Sequence, residues 1–195
     1  TVSLNSRTPA STFDGETTYY EATYRFTLSA DVRDDDMAYL NIATGTLPGG
    51  FNGNPDLPDA QIPIEQQEIT QYEVGYKAVL SQTLRASAAA YLIEWTNQAA
   101  SEFAYYDRNG TFIPQGIGYR NNIGETEVKG IELEVTALLS ENWDLSAGVT
   151  WQDAKAKKFI STDAKDIVVN NGSDDLSGKR IPLTSEFEAV AALTY

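Results

Sequence analysis

Glu132 and Glu134 are a pair of residues whose type and spacing suit a reaction. Glycoside hydrolysis uses two carboxyl groups, one as acid and one as base or nucleophile. Here a single residue separates them, and in an extended strand such a pair stands on one face. A solvated strand face is therefore the better reading. Two loop clusters hold oxygen donors suited to calcium: Asn52, Asn54, Asp56 and Asp59, then Asp163, Asp166, Asp174 and Asp175. Neither follows the EF-hand spacing, so both read as solvated loops. The chain has no histidine and no cysteine, which removes the commonest general base, thiol chemistry and disulfides. It has no glycine-rich phosphate cradle. These residues point to no enzyme, no metal and no cofactor.

The 195 residues carry 28 acidic and 14 basic side chains, a net charge of −14 at pH 7. That balance repels nucleic acid and anionic surfaces. The length suits one domain, with no composition shift to divide it. No apolar run approaches the ~18–20 residues of a membrane helix, and no charged-then-apolar leader opens the chain. Barrel strands need only ~9–11 alternating residues, so a membrane stays open.

Residues 1–17 read as a polar lead-in containing Pro9 and Gly15. From Tyr20 to Val32 apolar and polar residues alternate strictly: Tyr20, Ala22, Tyr24, Phe26, Leu28, Ala30 and Val32 against Glu21, Thr23, Arg25, Thr27, Ser29 and Asp31. This is a two-faced strand, about twice the ~5–6 residues usual in a globular domain. Further strands are predicted over about 37–45, 68–80, 83–97, 124–139, 143–157 and 181–195. The fourth includes Ala86-Ser87-Ala88-Ala89-Ala90, which has better helix than strand propensity but no clean helical period.

Asp34-Asp35-Asp36, Ser81-Gln82 and Ser140-Glu141-Asn142 form tight turns between these strands, while 46–67, 98–122 and 158–180 read as long loops. Short and long connections alternate, so a meander places every tight turn at one end and every long loop at the other. Tyr20, Tyr24, Tyr72, Tyr76 and Trp151 lie toward the long-loop end, Trp143 and Tyr195 toward the other. Two aromatic girdles of a transmembrane barrel would be so arranged. The alternative is the core of a soluble β-sandwich.

A set of short motifs then occurs in order: Tyr24-Arg25-Phe26-Thr27-Leu28-Ser29-Ala30; Asp34-Asp35-Asp36-Met37-Ala38-Tyr39; Gly45 and Pro48-Gly49-Gly50-Phe51-Asn52; Glu65 and Tyr72-Glu73-Val74-Gly75-Tyr76-Lys77; Asn121-Asn122-Ile123-Gly124; Lys129-Gly130-Ile131-Glu132-Leu133-Glu134; Trp143-Asp144-Leu145; and Gly178-Lys179-Arg180-Ile181-Pro182. Over about residues 20–195 they resemble the barrel of TonB-dependent outer-membrane receptors. Thr44 and Leu47 depart from the basic or aromatic residues that family members often carry there.

The resemblance implies an all-β, antiparallel, up-and-down transmembrane β-barrel of about 22 strands closed by a plug. The chain is then expected to supply about seven strands, residues 1–195 being a partial barrel domain without plug or TonB-contacting segment. Alone it is expected not to fold as a soluble monomer. The implied function is TonB-dependent uptake of a siderophore, vitamin or oligosaccharide across a Gram-negative outer membrane. The alternative is a soluble binding or adhesion module with acidic loops.

The implied partners are outer-membrane lipid, the plug, the energising TonB complex of the inner membrane and small-molecule cargo, with no nucleic acid. Phe51, Asn52, Tyr105, Tyr106 and Phe112 are the candidate cargo residues. Glu73, Lys77, Glu132, Glu134, Asp144 and Gln152 are expected to face the lumen. Gly75, Gly130 and Gly148 fall on or near that parity, where a bend or a close approach of the plug would explain them.

Overall fold

Strict alternation, enriched in aromatic and β-branched residues, gives each segment one apolar and one polar face, and paired strands satisfy its backbone. The computed structural model describes residues 2–5, 14–161, 163, 168 and 170–195. Its strands are β1 (Val2–Asn5), β2 (Asp14–Thr17), β3 (Arg25–Arg33), β4 (Asp36–Leu47), β5 (Gly50–Phe51), β6 (Pro63–Ile64), β7 (Gln67–Ser81), β8 (Leu84–Tyr106), β9 (Phe112–Ser140), β10 (Trp143–Phe159) and β11 (Phe187–Thr194). Seven form one antiparallel sheet in the order β11-β10-β9-β8-β7-β4-β3. β5 and β6 form a ribbon inside the β4–β7 connection. Within the expected lead-in β1 and β2 pair antiparallel, Val2 opposite Thr17 and Asn5 opposite Asp14. Pro9 lies outside the described residues.

Tight turns occupy Asp34–Asp35, Gln82–Thr83 and Glu141–Asn142. Buried Asp36 fastens the first: its carboxylate accepts the Tyr76 hydroxyl at 2.7 Å and the Val79 N–H at 3.2 Å. At the same end the rings of Trp143 and Tyr195 meet at 4.9 Å.

Three sequence expectations change. Residues 98–122 are no long loop: β8 and β9 continue as a paired hairpin to a turn at 107–111. Register shifts between Trp95 and Gln98, Gln98 and Ala99, and Ala104 and Tyr106 break the alternation, which is why the segment resembles a loop. β3 begins only at Arg25. The Tyr24/Thr44 pair ends its backbone contacts, with the Thr44 N–H on the Tyr24 carbonyl at 2.9 Å and the Tyr24 N–H on the Thr44 hydroxyl at 3.0 Å. The last strand begins at Phe187, because Ile181–Thr184 turns, with Leu183 at φ 61 and the Thr184 hydroxyl bonded to the Ile181 carbonyl.

Register assigns the faces. Leu28, Leu40, Val74, Ala90, Ile131, Trp151 and Phe187 form one transverse row. All of these side chains are exposed, and no second sheet of the described residues covers them. The Ala86–Ala90 run is held as strand by partners on both sides. Toward the long-connection end the apolar face stops abruptly. The Tyr72 row continues through Leu92 to Lys129 and Asp153, and the next carries Glu94, Glu127 and Lys155. Ion pairs stitch this belt: Lys129–Glu127 at 2.7 Å, Lys155–Asp153 at 2.6 Å and Lys157–Glu94 at 3.2 Å. An apolar band bounded by Tyr72 and Trp151, then by charge, is the profile of a strand wall crossing a bilayer.

Candidate functional site

Beyond the charged belt, residues 98–106 and 112–122 form an arm roughly 30 Å long at ~3.3 Å per residue. One of its faces carries the main apolar cluster. Ala104, Ile117 and Tyr119 pack with Leu57 and Ile62 of the β4–β7 connection, flanked by Phe51 and Ile113. Burial, then the nearby Glu102 carboxylate, raises the Tyr119 phenol above its ordinary value. Glu102 is itself buried and accepts the Ser161 hydroxyl at 3.3 Å.

Asn52 is the clamp between connection and arm. Its amide donates to the Gln61 and Arg120 carbonyls, each at 2.8 Å, and its oxygen accepts the Arg120 N–H at 2.8 Å. Only 9% of the residue is exposed. A second tie joins the connection's end to the bulge. The Asn122 side chain bonds the Glu65 N–H and carbonyl at 2.8 and 3.0 Å, and that of Asn97 bonds the Gln66 carbonyl at 2.9 Å. Asn97 sits at φ 56, which asparagine tolerates better than most residues.

The candidate cargo residues thus separate. Asn52 is buried and its carboxamide is occupied by backbone. Phe51 is half-buried against Leu57 and Ile62, and Tyr105 is half-buried beside Gly116. Tyr106 and Phe112 stay open, 59% and 57% exposed, with centroids 5.6 Å apart at the arm's end. Below them the turn closes on Asp107, whose carboxylate accepts the Thr111 and Asn109 N–H groups, each at 2.8 Å. The Thr111 bond above all holds this carboxyl below its usual range, against the opposing effect of burial and with a smaller contribution from the Asn109 bond. Thr44 and Leu47 end β4 at the base of the connection, Thr44 paired with Thr70 and Leu47 with Gln67.

The acidic clusters are also engaged locally. Asp59 pairs with Arg108 across the arm, and the Asn54 side chain caps the Asp56 N–H at 2.9 Å. The Ser177 hydroxyl first, then the Ser177 N–H that Asp175 accepts at 2.9 Å, hold the Asp175 carboxyl low. The Asp163 N–H bonds the Ser161 hydroxyl, the Asp174 carbonyl accepts the Ser161 N–H, and Asp166 lies outside the described residues.

Below the belt, the face opposite the apolar one carries the other singled-out residues. Glu73, Tyr91, Gly130 and Gln152 share a row, as do Gly75, Ala89, Glu132, Thr150 and Glu188, then Lys77, Ser87, Glu134 and Gly148. Asp144 lies on the same face near the turn end, opposite Leu138. The Glu134 carboxylate accepts the Ser87 hydroxyl at 3.2 Å, and Glu73 accepts the Gln71 amide at 3.0 Å. Sequence reasoning missed two cross-strand fits. The rings of Tyr39 and Tyr91 occupy the space over Gly75 and Gly130, where an added β-carbon would lie 2.3 Å from ring atoms. These glycines therefore answer to tyrosines of the same wall. Gly148 has only ordinary neighbours. The Tyr91 hydroxyl reaches the Gln152 side-chain oxygen at 3.1 Å, and the Lys77 ammonium stands 5.6 Å from the centre of the Tyr39 ring.

A meandering antiparallel sheet with an apolar band on one face and polar groups on the other defines the wall of a transmembrane β-barrel. Residues 1–195 match the family model for the TonB dependent receptor-like β-barrel, and the chain belongs to that family. Solved structures show the same fold. The ferric yersiniabactin uptake receptor FyuA from Yersinia pestis aligns at TM-score 0.61 and 17% identity, covering 87% of this chain and 22% of that one. The siderophore receptor PiuA from Acinetobacter baumannii aligns at 0.61 and 21%, covering 89% and 23%. The pyoverdine outer membrane receptor FpvA from Pseudomonas aeruginosa PAO1 aligns at 0.56 and 20%, covering 86% and 21%. The chain thus spans under a quarter of the length of each of these three receptors.

Proposed function

We propose that this chain forms part of the barrel wall of an outer-membrane receptor that takes up a scarce nutrient with energy delivered by the TonB complex. The observation that carries the reading is the one-ended arrangement. Tight turns close one end of an apolar-banded sheet, while the other raises a stiff arm with two open aromatic rings. Such rings suit stacking on a planar chelate or sugar, as in a siderophore, vitamin or oligosaccharide. Tyr106 and Phe112 are the proposed contacts, while Asn52 and Phe51 hold the connection beneath them. The face carrying Glu73, Lys77, Glu132, Glu134, Asp144 and Gln152 is assigned to the lumen, where it meets the plug of the full-length protein. The soluble-sandwich alternative needs a second sheet packed on the apolar face, and the described residues supply only two-stranded ribbons besides the main sheet.

The test is uptake by cells carrying or lacking the full-length gene, offered labelled ferric siderophores, cobalamin and oligosaccharides in turn. Accumulation of one cargo that requires both the gene and an intact TonB complex is the expected result. Uptake that persists without TonB makes the protein a passive pore. Recovery of the full-length protein outside the outer-membrane fraction overturns the membrane assignment.

A further inference from the structure

The sequence contains three Asn-Gly dipeptides: Asn52-Gly53, Asn109-Gly110 and Asn171-Gly172. This dipeptide can modify itself. The glycine backbone nitrogen loses its proton and attacks the asparagine Cγ, a C–N bond forms, and the side-chain nitrogen leaves as ammonia. Water then opens the cyclic imide to aspartate or isoaspartate. The reaction needs a mobile carboxamide and a glycine N–H not already committed to a hydrogen bond.

The fold gives the three dipeptides different answers. The Asn52 carboxamide is buried in the clamp with its three 2.8 Å bonds. The Gly110 N–H donates to the Asp107 carbonyl at 2.9 Å, beside a carboxylate that disfavours losing the proton. Asn171 and Gly172 occupy the two central positions of an exposed turn, at φ 57 and φ 85, closed by the Ser173 N–H on the Asn170 carbonyl at 3.2 Å and by the Asn170 amide on the Ser173 carbonyl. Nothing approaches within 4 Å of where a Gly172 β-carbon would sit. Among the described residues no hydrogen bond engages the Asn171 side chain or the Gly172 N–H.

We propose that Asn171 is a site of spontaneous modification, converting to aspartate and isoaspartate while Asn52 is protected by the clamp and Asn109 by its turn. Each event adds a negative charge beside Asp174 and Asp175. The isoaspartate product also lengthens the backbone inside the turn. The neighbouring Asn170 amide spans that turn, bonding the Ser173 and Asp175 carbonyls at 3.1 and 2.8 Å. Its span no longer fits, which loosens the Ile160–Asp175 bridge.

The full-length protein in detergent, aged at neutral and mildly alkaline pH, tests this by peptide mass mapping and isoaspartyl methyltransferase labelling. Product is expected first at Asn171, faster in alkali, and slower at Asn52 by more than about a hundredfold, since three bonds must break first. In denaturant the three sites are expected to converge. The substitution Asn171→Ser is expected to remove the leading label and leave the others. Asn52 or Asn109 reacting as fast as Asn171 in folded protein, or the same ranking surviving in denaturant, overturns the proposal.

Discussion

The phenol ring of Tyr91 fills the space over Gly130 on the adjoining strand, and its hydroxyl reaches on to Gln152 one strand further. Three strands are thereby tied on one face by a single side chain. Gly130→Ala puts a methyl group where the ring stands. The ring is the free end of a side chain and can swing aside, so the expected loss is mainly its hydrogen bond, about 1 kcal/mol. Thermal unfolding of the full-length protein in detergent measures it. Combining Gly130→Ala with Tyr91→Ala is expected to cost less than the sum of the single changes.

Leu133 and Glu134 are neighbours on β9 with opposite facing. Arginine at Leu133 meets hydrocarbon, at a cost of about 2–4 kcal/mol near the midplane. Arginine at Glu134 meets the wet face and loses only the Ser87 contact. The amount of folded receptor in outer-membrane fractions is expected to fall for Leu133→Arg and to hold for Glu134→Arg. Equal tolerance at the two positions contradicts the facing.

Asn52→Ala removes the donor and the acceptor that join the β4–β7 connection to Arg120 of the arm, and the second donor, which braces the connection at Gln61. The Arg120 N–H and two carbonyls lose their partner, at about 1–3 kcal/mol for the buried groups. Hydrogen exchange is expected to quicken across residues 50–64 and around Arg120, while β7 to β10 below the belt keep their protection. Asn52→Asp is expected to be worse, because an anion then faces two carbonyls.

The arm's turn has a built-in acid limit. Asp107 is held below its ordinary value by N–H donors, so its stabilisation is complete above the unfolded value of about 4. It is lost as pH falls through the lower folded value. Amide exchange at Asn109 and Thr111, corrected for intrinsic rates, is expected to accelerate on acidification, and Asp107→Ala should show that faster exchange at neutral pH.

Alternation made the membrane-crossing strands readable, since Phe26-Leu28-Ala30 or Leu145-Ala147-Val149 admits one facing only. The tight turns were readable from Asp34-Asp35 and Glu141-Asn142. The arm was not, because skipped residues around Asn97 and Ile123 reverse the facing and leave no continuous alternation to follow. The fits of Tyr39 on Gly75 and Tyr91 on Gly130 depend on which residues end up opposite each other, a property of pairing that neither strand carries alone. The cargo residues suffered from the same gap. Aromatic type marked Phe51 and Tyr106 equally, and only packing against Leu57 and Ile62 separated the half-buried ring from the open one.

The ladder of β8 and β9 runs from the tight-turn end to the Asp107 turn, interrupted only by its bulges. A floating loop can gain or lose any number of residues with little consequence. A paired beam cannot. Its reach changes in whole steps, one residue from each strand, and a step of one pair also exchanges which faces its remaining side chains present. Receptors built on this plan would vary in height by even increments, and a shortening by two pairs would preserve every facing beyond the cut.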